Sequence, residues 1–290
     1  MTFMKKCIGL LIFTFISIAV IAQADINVKN DSIVQEGKTL YNSEMASWYG
    51  TDIFLEAFKD HDKIGGYFSY PQGNAATCVF FSREDVPKVI GTIKFDSTYS
   101  VQTAETDLTE RYFLPNEFLL YKLRKKTQQI IRSDTFFLSY KNTALNIIPI
   151  IYNGRQKVYI ITAPKKNGIV ILGNDYLLTF DNNLELLEKK KLHMNIITID
   201  YTQKDENGGK IVGAAHTHLP ETGDCMTVTD VCTLMLYQKF AEWENHTVVS
   251  ENYISFWNCK TNTLFSITRD AMNKINKDQE KKAGKKNNSN

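Results

Sequence analysis

The 290-residue sequence predicts an α+β protein, and two patterns carry that prediction. Across residues 66–100, and again from about residue 135, short runs rich in β-branched and aromatic residues alternate with Gly, Pro and Asn: "YFSY", "TCVFFS" and "KVIGTIKF", then "TFFLSY", "ALNIIPIIY", "KVYIITA", "GIVILG" and "YLLTF". That is the composition of β-strands separated by turns. Three other segments, 37–60, 105–132 and 228–243, space their apolar residues at helical intervals. A chain of this length supports one or two domains with substantial cores.

The first residues bear on compartment. "MTFMKK" is a short basic segment, "CIGLLIFTFISIAVIA" is apolar, and "AQA" before Asp25 fits a small-residue cleavage site. Residues 1–24 therefore read as a secretory signal peptide; the alternative is an uncleaved membrane anchor, for which the run is near the lower limit of about 17–25 residues. The expected location is outside the cytoplasm: periplasm, cell envelope or secreted. No later segment is long and apolar enough to cross a bilayer.

Of the formal net charge of +2, Lys5 and Lys6 contribute both units. In the last twenty residues, lysines outnumber acids, leaving a net acidic folded body. Nucleic-acid binding needs a basic folded face, which this is not. Beyond Cys7, the cysteines are Cys78, Cys225, Cys232 and Cys259. They read as buried small residues or as one incidental bridge, with Cys232–Cys259 the preferred pair; sequence alone does not select a connectivity.

Residues 25–36 are polar and read as loose. In 37–60, Leu40, Trp48, Phe54, Leu55 and Phe58 form a helical pattern with Gly50 as a break. "PNEFLLYKLRKKTQQII" starts a helix at Pro115, where a missing N–H is harmless, and Phe118, Leu119, Tyr121, Leu123, Ile130 and Ile131 read as core. "APKKNG" reads as a hairpin turn with Asn167-Gly168 at its tip, and Gly173-Asn174-Asp175 as a turn between strands. "LHMNIITIDY" and "IVGAAHT" are further strands joined by "DENGG". "DVCTLMLYQKFAEW" is apolar on more than one side, as a helix buried between layers is. Three strands follow, "HTVVS", "YISFW" and "TLFSI", the first opened by an exposed His246. Residues 269–290, rich in Lys and Asn, read as a disordered tail. The domain expectation is an N-terminal α+β region over 25–150 and a second domain over 151–268.

The chemistry concentrates in "AAHTHLPETGDCMTVTDVC", residues 214–232. In a strand, successive side chains alternate faces, so His216 and His218 point the same way and offer two imidazoles to one cation. Thr227 and Asp230 match a capping box, with Thr227 as N-cap and Asp230 at the third helical position. The helix dipole keeps a carboxylate there ionised. Two His and one carboxylate leave a fourth tetrahedral position for water, the composition of a catalytic zinc site. His193 in "KLHMN" is an additional candidate ligand or proton carrier, and Asp224 a turn residue.

"HTHLPETGDCMTVTD" resembles the His-x-His, loop, Ser/Thr-x-x-Asp motif of the JAMM-type (MPN) metalloprotease family, over about residues 150–268. The resemblance implies a JAMM/cytidine-deaminase-like mixed sheet with a buried helix. It further implies zinc held by His216, His218 and Asp230, with Thr227 standing where the family's serine stabilises the tetrahedral intermediate. The family's upstream general-base glutamate has no clear counterpart, since the chain holds no glutamate between Glu117 and Glu185. Glu221 is the nearest stand-in. Two functions are expected on these grounds. One is a zinc metallohydrolase of peptide or isopeptide bonds. The other is an inactive JAMM-like module that binds a protein or peptide partner, or else an envelope-associated protein of unknown role.

Overall fold

The computed structural model describes residues 25–73 and 75–283. The chain runs α1 (Thr2–Ala57), β1 (Ile64–Gln72), β2 (Ala75–Ser82), β3 (Val89–Lys94), β4 (Glu105–Asp107), α2 (Pro115–Ser133), β5 (Thr143–Tyr152) and β6 (Arg155–Pro164). It continues through β7 (Ile169–Gly173), β8 (Tyr176–Phe180), β9 (Leu186–Lys191), β10 (Ile196–Asp200) and β11 (Gly213–Thr217). Last come α3 (Val228–Ala241), β12 (Asn245–Val249), β13 (Tyr253–Asn258), β14 (Thr263–Thr268) and α4 (Arg269–Asn287). The architecture is α+β, as the composition of the runs predicts. The signal-peptide expectation for 1–24 lies outside the described residues. Among those residues, no helix is long and apolar enough to cross a membrane.

Two compact units result, and neither is continuous in sequence. The larger comprises Glu36–Val212 and Thr227–Trp243, the smaller Met1–Gln35, Gly213–Met226 and Glu244–Asn290. The expected boundary at 150 falls inside β5, where Ile150 pairs with Lys157 of β6.

The larger unit contains an antiparallel sheet β1-β2-β3-β4, a second antiparallel sheet β5-β6-β8-β9 and the ribbon β10-β7. Alternation along the central strands explains how both faces are buried. On β2, Val79 and Phe81 join a core with Leu120 and Leu123 of α2, while Cys78 and Phe80 pack with Ala46 and Phe54 of α1. On β6, Val158 and Ile160 face the α2 core, whereas Tyr159 and Ile161 pack with Leu40 of α1 and Cys232 and Leu236 of α3. Each such side chain, fully buried, contributes roughly 1.5–3 kcal/mol. The helix at 115 starts where Pro115 places it, but Phe118 of its expected core set is exposed.

Several local expectations are corrected. Residues 25–36 are helical, part of α1, rather than loose. Gly50 does not break α1: a Cβ there would lie 2.8 Å from Cys78 Cβ, so the glycine permits close approach of helix and sheet. Gly37 does the same against α3, where a Cβ would meet Val231 Cγ1 at 2.6 Å. "APKKNG" is not a hairpin tip, because β6 pairs with β8 and β7 pairs with β10. All four cysteines among the described residues are free and buried, so the Cys232–Cys259 bridge does not form. Cys78 and Cys232 serve as core residues instead.

In the smaller unit, β11-β12-β13-β14 form a mixed sheet. β11 runs parallel to β12, and the other pairs are antiparallel. A parallel pair needs a long crossover, and α3 lies in the chain between its two strands. Ser266 Oγ donates to Asn30 Oδ1 at 3.1 Å and bonds Ser255 Oγ at 2.8 Å, tying α1 to β13 and β14. The Lys- and Asn-rich tail is helical in α4 rather than disordered. Its lysines and glutamate are good helix formers, Asp270 and Lys274 stand at i,i+4, and Ala271 N–H finds Thr268 Oγ1 at 3.2 Å.

Candidate metal centre

On β11, alternation works as the spacing predicts: His216 and the following His218 are buried, while Ala215 and Thr217 are exposed. β11 ends at Thr217, yet His218 N–H still donates to Val249 O at 2.9 Å, so the ladder holds both histidines in one register. Their Nε2 atoms face each other at 3.0 Å. Two neutral imidazoles at that distance require one N–H and one lone pair; alternatively both present lone pairs to a cation. Tetrahedral bonds of about 2.0–2.1 Å place two ligand nitrogens roughly 3.3 Å apart.

The other nitrogen of His216, Nδ1, lies 2.8 Å from His246 Nε2. His246 is completely buried, not exposed as its position at the start of a strand suggested. The signal was present in "NHTVVS": His246 shares strand parity with Val248, which is buried. The parallel register, with Ala214 beside His246 and His216 beside Val248, brings the two rings together. A partner on the far nitrogen fixes the tautomer and direction of a metal-binding imidazole.

Helix α3 begins with a complete capping box. Asp230 N–H donates to Thr227 Oγ1 at 3.0 Å, and Thr227 N–H donates back to Asp230 Oδ2 at 2.8 Å. The Thr227 hydroxyl proton also goes to Asp230 Oδ2, at 2.8 Å. Asp230 is fully buried, and its other oxygen, Oδ1, lies 3.1 Å from His193 Nε2. On the far side of that ring, Nδ1 is 3.5 Å from Asp175 Oδ2. Asp175 is held in turn by Thr162 N–H, which donates to Oδ1 at 3.0 Å.

Burial alone would push the His193 imidazole down, but the charges and hydrogen bonds of Asp230 and Asp175 raise it to about 10. Burial raises the Asp175 carboxyl above its ordinary range, with His193 and the Thr162 N–H pulling the other way. Asp175 was read as a turn residue. The turn is real, since Gly173 has φ +96 and Asn174 φ 55. It also has a purpose: a Cβ at Gly173 would lie 2.2 Å from Asn195 O, so glycine lets β7 close against the segment that carries His193.

Among the described residues, His193, His216, His218 and Asp230 form a buried group that could hold a metal ion; each offers one ligand atom, and these atoms lie within 4.8 Å of one another. The three ligands expected from sequence are therefore in the group, joined by His193. Glu221, the stand-in base, lies exposed in a single 3-10 turn, Pro220–Thr222. Asp224 is a turn residue, tied to Asn252 through its N–H and its Nδ2. Glu185 accepts an ion pair from Lys126 and Glu188 is exposed on β9, so neither is a buried base.

No protein-family model, curated protein or solved structure matches this chain.

Proposed function

We propose that His193, His216, His218 and Asp230 hold one zinc ion in a closed four-coordinate centre, within an exported JAMM-like module that binds a protein or peptide partner. The observation that carries this reading is the placement of His193. Its Nε2 addresses Asp230 Oδ1 at 3.1 Å while Nδ1 faces Asp175. A carboxylate behind the far nitrogen is the usual support of a ligand imidazole. With a fourth protein ligand, the position that a hydrolytic water needs is filled, as in structural zinc sites. Three imidazoles and one carboxylate suit zinc in donor type. Of the glutamates weighed as a base, Glu117 is committed to Arg111 and Glu221 is exposed. Thr227 directs its hydroxyl proton at Asp230, which leaves the oxyanion role without support.

A second reading, a zinc hydrolase of peptide or isopeptide bonds, is favoured by one observation: the Asp175–His193 pairing could serve as a proton carrier. In that case three residues hold the metal, which supplies Lewis acidity and an activated water, and His193 moves the proton. His193→Ala separates the two. In a closed centre it lowers zinc affinity by roughly 100-fold or more, beyond what loss of an outer-shell partner costs, and the unmodified, zinc-loaded protein cleaves neither peptides nor lysine isopeptides. Turnover by the unmodified protein, lost in His193→Ala with zinc retained, would replace the first reading by the second.

A further inference from the structure

Two adjoining chambers lie within the larger unit, of about 380 Å³ and 120 Å³. They share Glu44, Ser47, Tyr67 and Asn146 as walls. The smaller is polar. Its serines are spent on local bonds, Ser43 Oγ to Ser69 O at 3.0 Å and Ser47 Oγ with Ser69 Oγ at 2.8 Å. That leaves two opposite charges, Glu44 and Arg124, facing the same space.

Neither charge has an ion-pair partner within salt-bridge distance among the described residues. Glu44 Oε2 accepts from Asn146 Nδ2 at 2.9 Å, yet burial still raises its carboxyl above the usual range despite Asn146 and Arg124. Arg124 Nη1 donates to Ile147 O at 2.8 Å, and its guanidinium lies over the Tyr67 ring at 5.5 Å. Its Nε is buried and has no acceptor among the described residues. A guanidinium has five N–H donors, so most of its capacity is unused. The two groups feel each other's charge but form no direct ion pair among the described residues. A ligand that carries both an ammonium and a carboxylate would complete both.

The larger chamber continues from that polar end and is different in kind. Ile161, Ile171 and Leu236 line it, with Trp48 and Tyr237 set 6.0 Å apart between ring centroids. Trp48 is 42% exposed, which makes this wall reachable from solvent. The volume falls in the range of small-molecule sites, about 300–1,000 Å³, and the mix of apolar walls with a few placed charges is their usual composition.

We propose that the two chambers bind a free α-amino acid with a large apolar side chain, its ammonium on Glu44, its carboxylate on Arg124 and its side chain against Trp48 and Tyr237. This site is independent of the metal centre and stands or falls separately. The test is calorimetric titration of the full chain with three matched probes: L-phenylalanine, phenethylamine, which lacks the carboxylate, and 3-phenylpropionate, which lacks the ammonium. L-Phenylalanine binds at least ten-fold more tightly than either. Glu44→Gln weakens L-phenylalanine and phenethylamine but not 3-phenylpropionate; Arg124→Gln weakens L-phenylalanine and 3-phenylpropionate but not phenethylamine. Trp48→Ala, at an exposed position, weakens all three. If either truncated probe binds as tightly as L-phenylalanine, or L-phenylalanine gives no heat at millimolar concentration, the proposal is overturned. The three probes on the unmodified protein decide the matter even where a charge variant fails to fold.

Discussion

Helices α2 and α3 each carry a fully buried carboxylate at the third position of the first turn, Glu117 and Asp230. Each accepts the N–H of its own N-cap residue, Leu114 or Thr227, at 2.8 Å. They differ in what the remaining lone pairs meet. Glu117 takes a two-pronged grip from Arg111, at 2.7 and 2.9 Å, and a hydrogen bond from the Tyr70 hydroxyl at 3.2 Å. Asp230 Oδ1 lies beside an imidazole, that of His193, which itself lies beside Asp175. A guanidinium keeps its proton at any ordinary pH, so the α2 carboxylate is locked. An imidazole can give its proton up, after which Nε2 and Oδ1 are two lone-pair donors facing one another. The same capping device thus makes a fastening in α2 and, by our proposal, half of a metal centre in α3.

Exchanging each carboxylate for its amide breaks the comparison most sharply. Asp230→Asn retains an oxygen for the cap but lowers zinc affinity roughly 100-fold or more, beyond the 10–100-fold typical of groups one shell out. Glu117→Gln leaves zinc stoichiometry unchanged, as read by metal analysis after dialysis. Its cost is stability: removing the charge that faces Arg111 costs about 3 kcal/mol in denaturant unfolding. Equal metal loss in both variants would erase the distinction.

The two sites also titrate with opposite sign. Burial raises the Glu117 carboxyl, but the Arg111 bonds, the Leu114 N–H and Tyr70 outweigh it and the net shift is downward. Its stabilisation is therefore present above the unfolded carboxylate value of about 4.3, and is lost as pH falls through the lower folded value. His193 is raised to about 10 in the metal-free protein. Its stabilisation is complete below the unfolded value of about 6.5, and is lost as pH rises through about 10. Melting curves against pH in chelator give the readout. The gap between parent and Glu117→Gln closes at the acid end, and that between parent and His193→Gln closes at the alkaline end.

The smallest effects concern the caps. Thr227→Ala removes the hydroxyl that Asp230 N–H uses and costs about 1 kcal/mol. Leu114, the N-cap of α2, has no oxygen to offer and is half exposed. Leu114→Ser supplies the missing acceptor and gains about 0.5–1 kcal/mol in the same unfolding assay.

Local sequence grammar was enough for what depends on a single strand or turn. Period-two spacing placed His216 and His218 on one buried face, and Thr227 with Asp230 marked the start of α3. What escaped depends on pairing between distant segments. His246 owes its burial to the parallel register of β12 with β11, and Asp175 its role to a glycine turn that closes β7 onto the residues after His193. Gly50 and residues 25–36 were misjudged for the converse reason. Glycine and polar residues argue against a helix locally, but close approach to Cys78 and the continuity of α1 override that preference.

X-ray absorption at the zinc edge of the loaded, dialysed protein addresses the closed centre most directly. The expected spectrum has four nitrogen or oxygen ligands at about 2.0–2.1 Å, three of them imidazoles, with His193→Ala reduced to two imidazoles or losing its zinc. A spectrum from the unmodified protein with only two imidazoles and added light-atom oxygen ligands, or zinc that washes out on dialysis, would contradict it.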